Sequence, residues 1–234
     1  MIMPRVRTGN RLLDACSDDE FAALSSKLVP LALELDDVVR VPGEPYAHAY
    51  FPVNCVLSST IVMNDGNEVE IATVGSEGFD PMALLIGGER SAHRTVCQIS
   101  GDAYRLPRET FEDAVERFPG LRDRARRFAK GFLDFMGQSI ACNRLHPLLE
   151  RCARWLLMAH DRVEGDLLSL TQEYLAVMLG VRRPAVNVAA RTLAAAGLIT
   201  YRRGAITILD REGLEAAACE CYATVRAGYE RTHQ

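Results

Sequence analysis

The pattern of apolar and polar positions changes character along the chain. Between about residues 31 and 106, apolar and β-branched residues form short runs, separated by turn-forming clusters such as Pro42-Gly43-Glu44-Pro45 and Asn64-Asp65-Gly66-Asn67. Short runs between frequent turn signals are typical of strands in a β-sandwich or barrel. The pattern predicts seven strands, at Leu31–Leu35, Val38–Val41, Ala49–Val53, Val56–Met63, Val69–Val74, Arg94–Ile99 and Ala103–Leu106.

A helical pattern, with apolar residues every three to four positions, precedes and follows the strands. It predicts a helix over Asn10–Leu28 and a long helix from about Pro119 to Leu145. At about 1.5 Å per residue, the long helix exceeds what a small domain needs. We therefore favour a dimerisation helix over one that only packs on its own β-domain. The predicted dimer interface consists of Leu121, Phe128, Phe132, Phe135 and Met136.

The C-terminal third predicts two short helices joined by a tight turn, after a helix over Leu148–Val163. Thr171 is a natural N-cap for the first of the two, Gly180 ends it, and Pro184 stands in the first turn of the second. The second helix carries apolar residues on one side. Its other side carries Arg183, Asn187 and Arg191.

A basic hairpin follows this pair of helices. Leu198–Tyr201 and Ala205–Leu209 read as strands with Arg202-Arg203-Gly204 at the tip, and a last helix is predicted over Arg211–Arg226. A helix-turn-helix with an attached wing is typical of DNA-binding domains.

The formal net charge of −4 conceals an uneven distribution. Residues 1–115 hold nine Lys and Arg against 18 Asp and Glu, whereas residues 143–211 hold ten against six. Residues 116–142 are also basic, with six against three, and residues 212–234 are acidic, with two against four. The average argues against a nucleic-acid binder, but the basic excess lies where the DNA-binding helices are predicted.

The cysteines and histidines do not predict a metal site. Seven cysteines are scattered without a C-x-x-C pair, which fits neither a disulfide framework nor a zinc ribbon. Cys219 and Cys221 form a C-x-C pair, but on one continuous helix their side chains would diverge by about 200°. His48 and His93 lack the partners that a cupin-type metal site needs. We expect no metal.

The sequence contains no motif of a phosphate-binding loop, a nucleophile elbow or a zinc protease, so we expect no enzyme. It also has no apolar run long enough for a membrane span or a signal peptide, and we expect a cytoplasmic protein without membrane contact.

The order of β-roll, long helix and winged helix-turn-helix resembles the Crp/Fnr family of bacterial transcription regulators. The resemblance extends from about Asn10 to Tyr222. It is carried mainly by Leu170-Thr171-Gln172-Glu173-Tyr174-Leu175-Ala176, Leu179-Gly180-Val181-Arg182-Arg183, Leu193 to Ile199, and Ala205-Ile206-Thr207-Ile208-Leu209-Asp210-Arg211.

The resemblance implies an α+β protein of three parts. These are a jelly-roll-like β-roll effector domain at residues 1–116, a dimerisation helix at 117–146 and a winged helix-turn-helix DNA-binding domain at 147–234. The implied function is sequence-specific binding of a homodimer to a near-palindromic operator in double-stranded DNA. RNA polymerase would be a further partner if the protein activates transcription.

The resemblance also assigns DNA contacts. Arg183 matches the family's first base-reading arginine, whereas Pro184 and Val188 replace the usual glutamate and second arginine, so the operator should differ from the family's usual one. We add Asn187, whose carboxamide can pair with adenine, and Arg182 as base readers. The predicted phosphate contacts are Thr171, Gln172, Arg191, Arg202 and Arg203.

The effector site is less clearly implied. In the family a Gly-Glu pair, followed ten residues later by Arg-Ser, holds a cyclic nucleotide; here Phe79-Asp80 stands ten residues before Arg90-Ser91. A second register leaves Arg94 as the candidate. The predicted effector residues are therefore Asp80, Arg90, Ser91 and Arg94.

The nature of the effector stays open at this point. A cyclic nucleotide is one candidate; a ligand-free roll and a haem- or thiol-based sensor are others. A regulatory module that binds an effector without contacting DNA is the rival to the DNA-binding function.

Overall fold

All seven predicted strands are present, with ends shifted by at most two residues, in a computed structural model that describes residues 7–202 and 204–232. They form one sheet in the order β1-β7-β3 and a second in the order β2-β6-β4-β5. Both pairings of the first sheet are antiparallel. The strands are β1 Val29–Leu33, β2 Val38–Arg40, β3 His48–Pro52, β4 Val56–Val62, β5 Glu68–Val74, β6 Arg94–Ile99 and β7 Gly101–Pro107.

Four buried phenylalanines form the aromatic core of this β-roll. The ring of Phe79 lies 5.9 Å from that of Phe51, 4.8 Å from that of Phe111 and 5.7 Å from that of Phe128, between centroids. Phe111 comes from helix α3, Arg108–Arg117. A Cβ at Gly78 would lie 2.0 Å from the Phe128 ring, so the backbone reaches the core only because this residue is glycine.

The predicted N-terminal helix is interrupted. It consists of α1, Arg11–Asp14, and α2, Asp18–Ser25. Ser17 starts the second helix with a capping box, in which its hydroxyl accepts from the Glu20 amide and the Glu20 carboxylate accepts from the Ser17 amide. This local bonding favours a new helix start over continuation of the first helix.

The long helix is confirmed as α4, Pro119–Leu145, but its most apolar face is buried inside the single chain. That face packs in the chain's own core, as the alternative interpretation of a helix packed on its own domain anticipated. Four of the five residues predicted for the dimer interface lie on this face and are buried in the single chain. Side chains that are already covered cannot also contact a partner, so the prediction is corrected for these four residues. These are Leu121, Phe128, Phe132 and Phe135.

A second apolar stripe on α4 is exposed. Leu133 and Ile140 are 66% and 71% exposed, and Met136, the fifth predicted interface residue, is half-buried between them. With Ala129 they follow the alternating spacing of four and three residues that defines a coiled-coil seam. We call Ala129, Leu133, Met136 and Ile140 the α4 seam.

The C-terminal part contains the predicted helix-turn-helix and wing. Its three strands form a sheet in the order β8-β10-β9, of which β8 was not predicted. The predicted last helix is two helices, because Ala218–Glu220 connects them. The elements are α5 Leu148–His160, β8 Leu167–Ser169, α6 Gln172–Leu179, α7 Arg183–Ala195, β9 Ile199–Arg202, β10 Ala205–Ile208, α8 Arg211–Ala217 and α9 Cys221–Thr232.

The chain divides into two compact units. The first consists mainly of residues 7–58 and 73–131, and the second of residues 59–72 and 132–230. The three-domain division at 116 and 146 stays a prediction. Within residues 7–202 and 204–232, no helix is long and apolar enough to cross a membrane.

Candidate nucleic-acid interface

Helix α7 is held in place by its apolar side. Val186, Ala189, Ala190 and Leu193 are buried, and α7 packs on both α5 and α6. The turn before it is made by Gly180, whose φ of +62° lies in the left-handed region. With one side buried, the other side of α7 is free to meet a ligand.

The tip of the β4–β5 hairpin belongs to the same unit and braces this turn. Trp155 Nε1 on α5 donates to Glu70 Oε1 of β5 over 3.0 Å. A Cβ at Gly180 would lie 3.1 Å from Cγ2 of Val69. The hairpin therefore supports the start of α7 through both α5 and the turn.

The predicted base readers lie together at the start and on the outer side of α7. Arg182 is the N-cap residue, without a capping bond from its side chain, and both Arg182 and Arg183 are exposed. Asn187 is half-buried and Arg191 is exposed, so residues 183, 187 and 191 form one row at intervals of four. Basic side chains at a helix N-terminus add their charge to the positive end of the helix dipole, and this positive charge attracts phosphate groups.

Glu173 contacts this row, which the sequence did not indicate. Its Oε1 lies 2.7 Å from Nη1 of Arg183, and both side chains are more than 60% exposed. An ion pair this exposed contributes little free energy. It does orient the Arg183 guanidinium, and a ligand of Arg183 would have to compete with Glu173.

Val188 is the second feature that sequence reasoning missed. It is 68% exposed in the row beside Asn187. The sequence shows a β-branched residue on an otherwise polar helix face. The comparison with the family pattern treated Val188 only as the replacement of an arginine, so its own contact surface was overlooked. A valine there offers apolar contact to a thymine methyl group.

Two of the predicted phosphate contacts, Thr171 and Gln172, lie at the N-terminus of α6. Thr171 is exposed and caps α6, accepting from the Tyr174 amide over 3.1 Å, and Gln172 is its first residue. Arg202 is exposed at the end of β9. Thr171 Cγ2 would lie 3.6 Å from a Cβ at Gly204, so the wing tip adjoins this N-terminus. Arg203 lies outside the described residues.

In the β-roll, Asp80 and Ser91 are joined by a buried arginine that the sequence did not single out. Arg40, which is 6% exposed, donates from Nη2 to Asp80 Oδ2 over 2.5 Å and to Thr95 Oγ1 over 2.8 Å. Its Nε donates to Ser91 Oγ over 3.1 Å. Two of the four predicted effector residues are therefore engaged by the chain's own guanidinium.

The other two predicted effector residues lie differently. Arg90 is exposed and donates from Nη1 to the Gly43 carbonyl over 2.7 Å. Arg94 is half-buried and begins β6. Arg90 is thus at the surface while Asp80 and Ser91 are buried, and a shared effector site for the four residues stays a prediction.

The prediction for the C-x-C pair is wrong in its geometry. Cys219 lies in the connection after α8, and Cys221 begins α9, so the two side chains do not diverge along one helix. They lie beside Cys142 of α4 and His146, which directly follows that helix, and the four possible ligand atoms are all within 4.8 Å of one another. The structure therefore gathers four side chains that could hold a metal ion, where the sequence predicted none.

Comparison with known proteins points in one direction. The Crp-like helix-turn-helix domain family matches residues 150–217. No protein of curated function is similar enough in sequence to be compared.

Several solved structures share the fold. FixK2 from Bradyrhizobium japonicum is 16% identical, with a TM-score of 0.70, over 82% of this chain and 98% of FixK2. A CRP-family transcriptional regulator from Thermus thermophilus is 18% identical, with a TM-score of 0.65, over 80% and 96%. CLP of Xanthomonas campestris, described as a c-di-GMP-responsive global regulator, is 17% identical, with a TM-score of 0.61, over 82% and 99%.

These likenesses extend the predicted resemblance over most of the chain, and the domain match covers α5 to α8. The exposed row of α7 and the wing are the parts that such a domain uses on DNA, while the buried side of α7 holds the helix in place. Residues 150–217 therefore belong to the Crp-like helix-turn-helix domain family, and the chain shares its fold with these solved structures, two of which are described as transcription regulators.

Proposed function

We propose that the protein is a homodimeric regulator that reads a near-palindromic operator with helix α7. The observation that carries the proposal is the row of Arg183, Asn187 and Arg191 on the outer side of a helix whose inner side is buried. A helix presented in this way fits the major groove of B-DNA. Such a regulator acts in the cytoplasm, with the chromosome.

Base readout falls to the first two turns of α7. Arg183 donates to O6 and N7 of a guanine, Asn187 pairs with an adenine, and Arg182 contributes from the N-cap. Val188 adds contact with a thymine methyl group. The half-site therefore combines G, A and T, in contrast to the two arginine-read guanines of the family pattern.

Phosphate contacts fix the register of α7 on the duplex. Thr171, Gln172 and Arg191 contact the backbone beside the major groove, and Arg202 and Arg203 of the wing contact it further along. The excess of basic residues between 143 and 211 supplies the sequence-independent part of the affinity.

The α4 seam is the surface on which a second copy docks. Its two large apolar residues are exposed in the single chain, and their spacing suits a parallel pair of helices. A twofold axis along this pair presents two α7 helices to successive major grooves. RNA polymerase is a partner of this dimer where it acts as an activator.

The β-roll does not take a cyclic nucleotide in this proposal. The groups that would hold the ribose and phosphate, Asp80 and Ser91, are already bonded to Arg40, and opening that network would leave buried charges unpaired. Calorimetry with cyclic AMP, cyclic GMP and cyclic di-GMP tests this. We expect no heat of binding; saturable heat from any of the three contradicts it.

Selection of bound sequences from random double-stranded oligonucleotides tests the function as a whole. The expected result is a near-palindrome with the two half-sites one helical turn apart. Arg183→Ala should relax the choice of base at one position per half-site, by about 1–3 kcal/mol.

Arg202→Ala is the matched control for this test. It should weaken binding to all sequences alike and lower the salt dependence. Equal losses on specific and random DNA for Arg183→Ala would refute its assignment. If gel shifts show no binding even at low salt, the protein is instead a regulatory module that does not contact DNA.

A further inference from the structure

Four residues with metal-ligating side chains meet where α4 ends and α9 begins. The Sγ atoms of Cys142 and Cys219 are 3.5 Å apart, and Sγ of Cys221 lies 3.5 Å from Nδ1 of His146. All three cysteines are buried and His146 is half-buried. All four possible ligand atoms lie within 4.8 Å of one another.

The surroundings orient these side chains as a metal site requires. Nε2 of His146 lies 3.2 Å from a carboxylate oxygen of Glu220 and is turned away from the sulfurs, which leaves Nδ1 facing them. A carboxylate behind the histidine is the usual outer partner of a metal-bound imidazole. Gln138 Nε2 donates to Cys221 Sγ over 3.0 Å, as a donor to a thiolate would.

Positive charge is also close to the sulfurs. The buried guanidinium of Arg154 on α5 interacts electrostatically with Cys142. Three thiolates and one divalent ion carry a net charge of −1, which this guanidinium balances. The cluster therefore has both the donors and the countercharge for a closed cation site.

We propose that Cys142, His146, Cys219 and Cys221 bind one Zn²⁺ ion in a tetrahedral Cys₃His site. Zinc–sulfur bonds of about 2.3 Å place tetrahedral ligands roughly 3.8 Å apart, close to the spacing found here. Four donor atoms within 4.8 Å of one another are close enough to share a single ion. An iron–sulfur cluster, whose cysteines bind different iron atoms, needs them further apart.

The ion would fasten the C-terminal helix to the dimerisation helix. Cys142 lies in the last turn of α4 and His146 directly follows that helix, whereas Cys219 precedes α9 and Cys221 begins it. Without the ion, the contacts there are the thiol contacts of the cysteines, the Gln138–Cys221 hydrogen bond and the His146–Glu220 contact. Zinc binding would therefore stabilise the folded chain, because the unfolded chain holds no preformed site.

Titration of the metal-stripped full-length protein with Co²⁺ tests the inference. We expect one Co²⁺ per chain, the intense visible bands of tetrahedral cobalt, a thiolate-to-cobalt charge-transfer band, and displacement of cobalt by Zn²⁺. The melting temperature of the stripped protein should rise when Zn²⁺ is added.

Cys142→Ala and Cys219→Ala should lose the tetrahedral spectrum and the zinc-dependent rise in melting temperature. Cys152→Ala is the matched control, because Cys152 is equally buried on α5 but lies outside the cluster. It should keep both signals at one ion per chain.

Three outcomes would overturn the inference. They are wild-type protein without tetrahedral cobalt bands, a Cys142→Ala variant that binds as the wild type does, and a protein that carries iron and sulfide at this site. Because the wild-type titration decides by itself, a variant that fails to fold does not obscure the result. DNA binding is not part of the measurement, so the proposed function and this site stand or fall separately.

Discussion

At the scale of single residues, the interior of the β-roll depends on Arg40. Its guanidinium contacts the buried side chains of Asp80, Ser91 and Thr95. Arg40→Met would leave the Asp80 carboxylate buried without its partner, which typically costs about 3–5 kcal/mol of the free energy of unfolding. Urea denaturation measures this loss. Arg90→Met, at an exposed position, is the control and should change the free energy of unfolding by no more than about 0.5 kcal/mol. If Arg40→Met costs no more than this control, the contacts of Arg40 are unimportant for stability.

Val188 offers a residue-scale test of base reading. Val188→Arg places an arginine where the family pattern has its second base reader, and should shift the preferred base at one operator position from T to G by about 1–3 kcal/mol. Ala195→Arg, at the far end of α7, adds the same charge away from the predicted base contacts. It should raise affinity for all sequences equally, as oligonucleotide selection with both variants would reveal. An unchanged preference in Val188→Arg contradicts the placement of this residue in the groove.

Glu20 makes the stability of the first unit depend on pH. Burial raises the pKa of this carboxyl, but the Ser17 amide and the Arg124 guanidinium outweigh that effect and hold it below its usual value of 4.5. A lowered pKa in the folded state contributes stability above the unfolded value, which is lost as the pH falls through the folded one. Glu20→Gln should therefore cost roughly 1–2 kcal/mol at pH 7, and the difference from wild type should shrink below pH 4.5. A difference independent of pH would exclude this explanation.

At the scale of elements, α4 has two apolar faces with different roles. One is buried in its own chain, and the α4 seam is the other. Ile140→Glu should convert the dimer to a monomer, because a charge in the seam would be buried on association; sedimentation equilibrium measures the change. Leu145→Glu alters an equally exposed apolar residue of α4 that lies off the seam. It should leave the dimer intact, and a dimer that survives Ile140→Glu would place the interface elsewhere.

The spacing of apolar residues predicted some helix ends correctly and missed others. The ends of α4 were predicted correctly, because one apolar stripe continues from Leu121 to Cys142 and Pro147 follows it closely. The breaks near Ser17 and Cys219 were missed, because apolar spacing continues across them. At Ser17 a capping box decides the break. At Cys219 the short connection Ala218–Glu220 interrupts the helix, and this connection brings Cys219 and Cys221 toward α4.

At the scale of the whole molecule, the proposed twofold dimer would fix the spacing of its two half-sites. Two α7 helices on one face of the duplex should be separated by about 34 Å, one turn of DNA. Inserting five base pairs at the operator centre rotates one half-site to the opposite face and should abolish high-affinity binding. Inserting about 10 base pairs returns the two half-sites to the same face of the duplex but leaves them one turn further apart. It should therefore restore little of the binding affinity. Gel shifts at fixed salt compare the three DNAs, and indifference to the insertion would mean that the half-sites are bound independently.

The sequence by itself determined the strands of the roll, the long helix and the winged helix-turn-helix. It also determined the row of Arg183, Asn187 and Arg191 on the outer side of α7. These follow from local periodicity, turn residues and caps, which act over a few neighbouring positions. The tertiary structure alone decided which face of α4 is covered, that Arg40 closes on Asp80 and Ser91, and that Cys142 and His146 meet Cys219 and Cys221. Those contacts join residues about 40 to 80 positions apart, and no local pattern encodes the packing that brings them together.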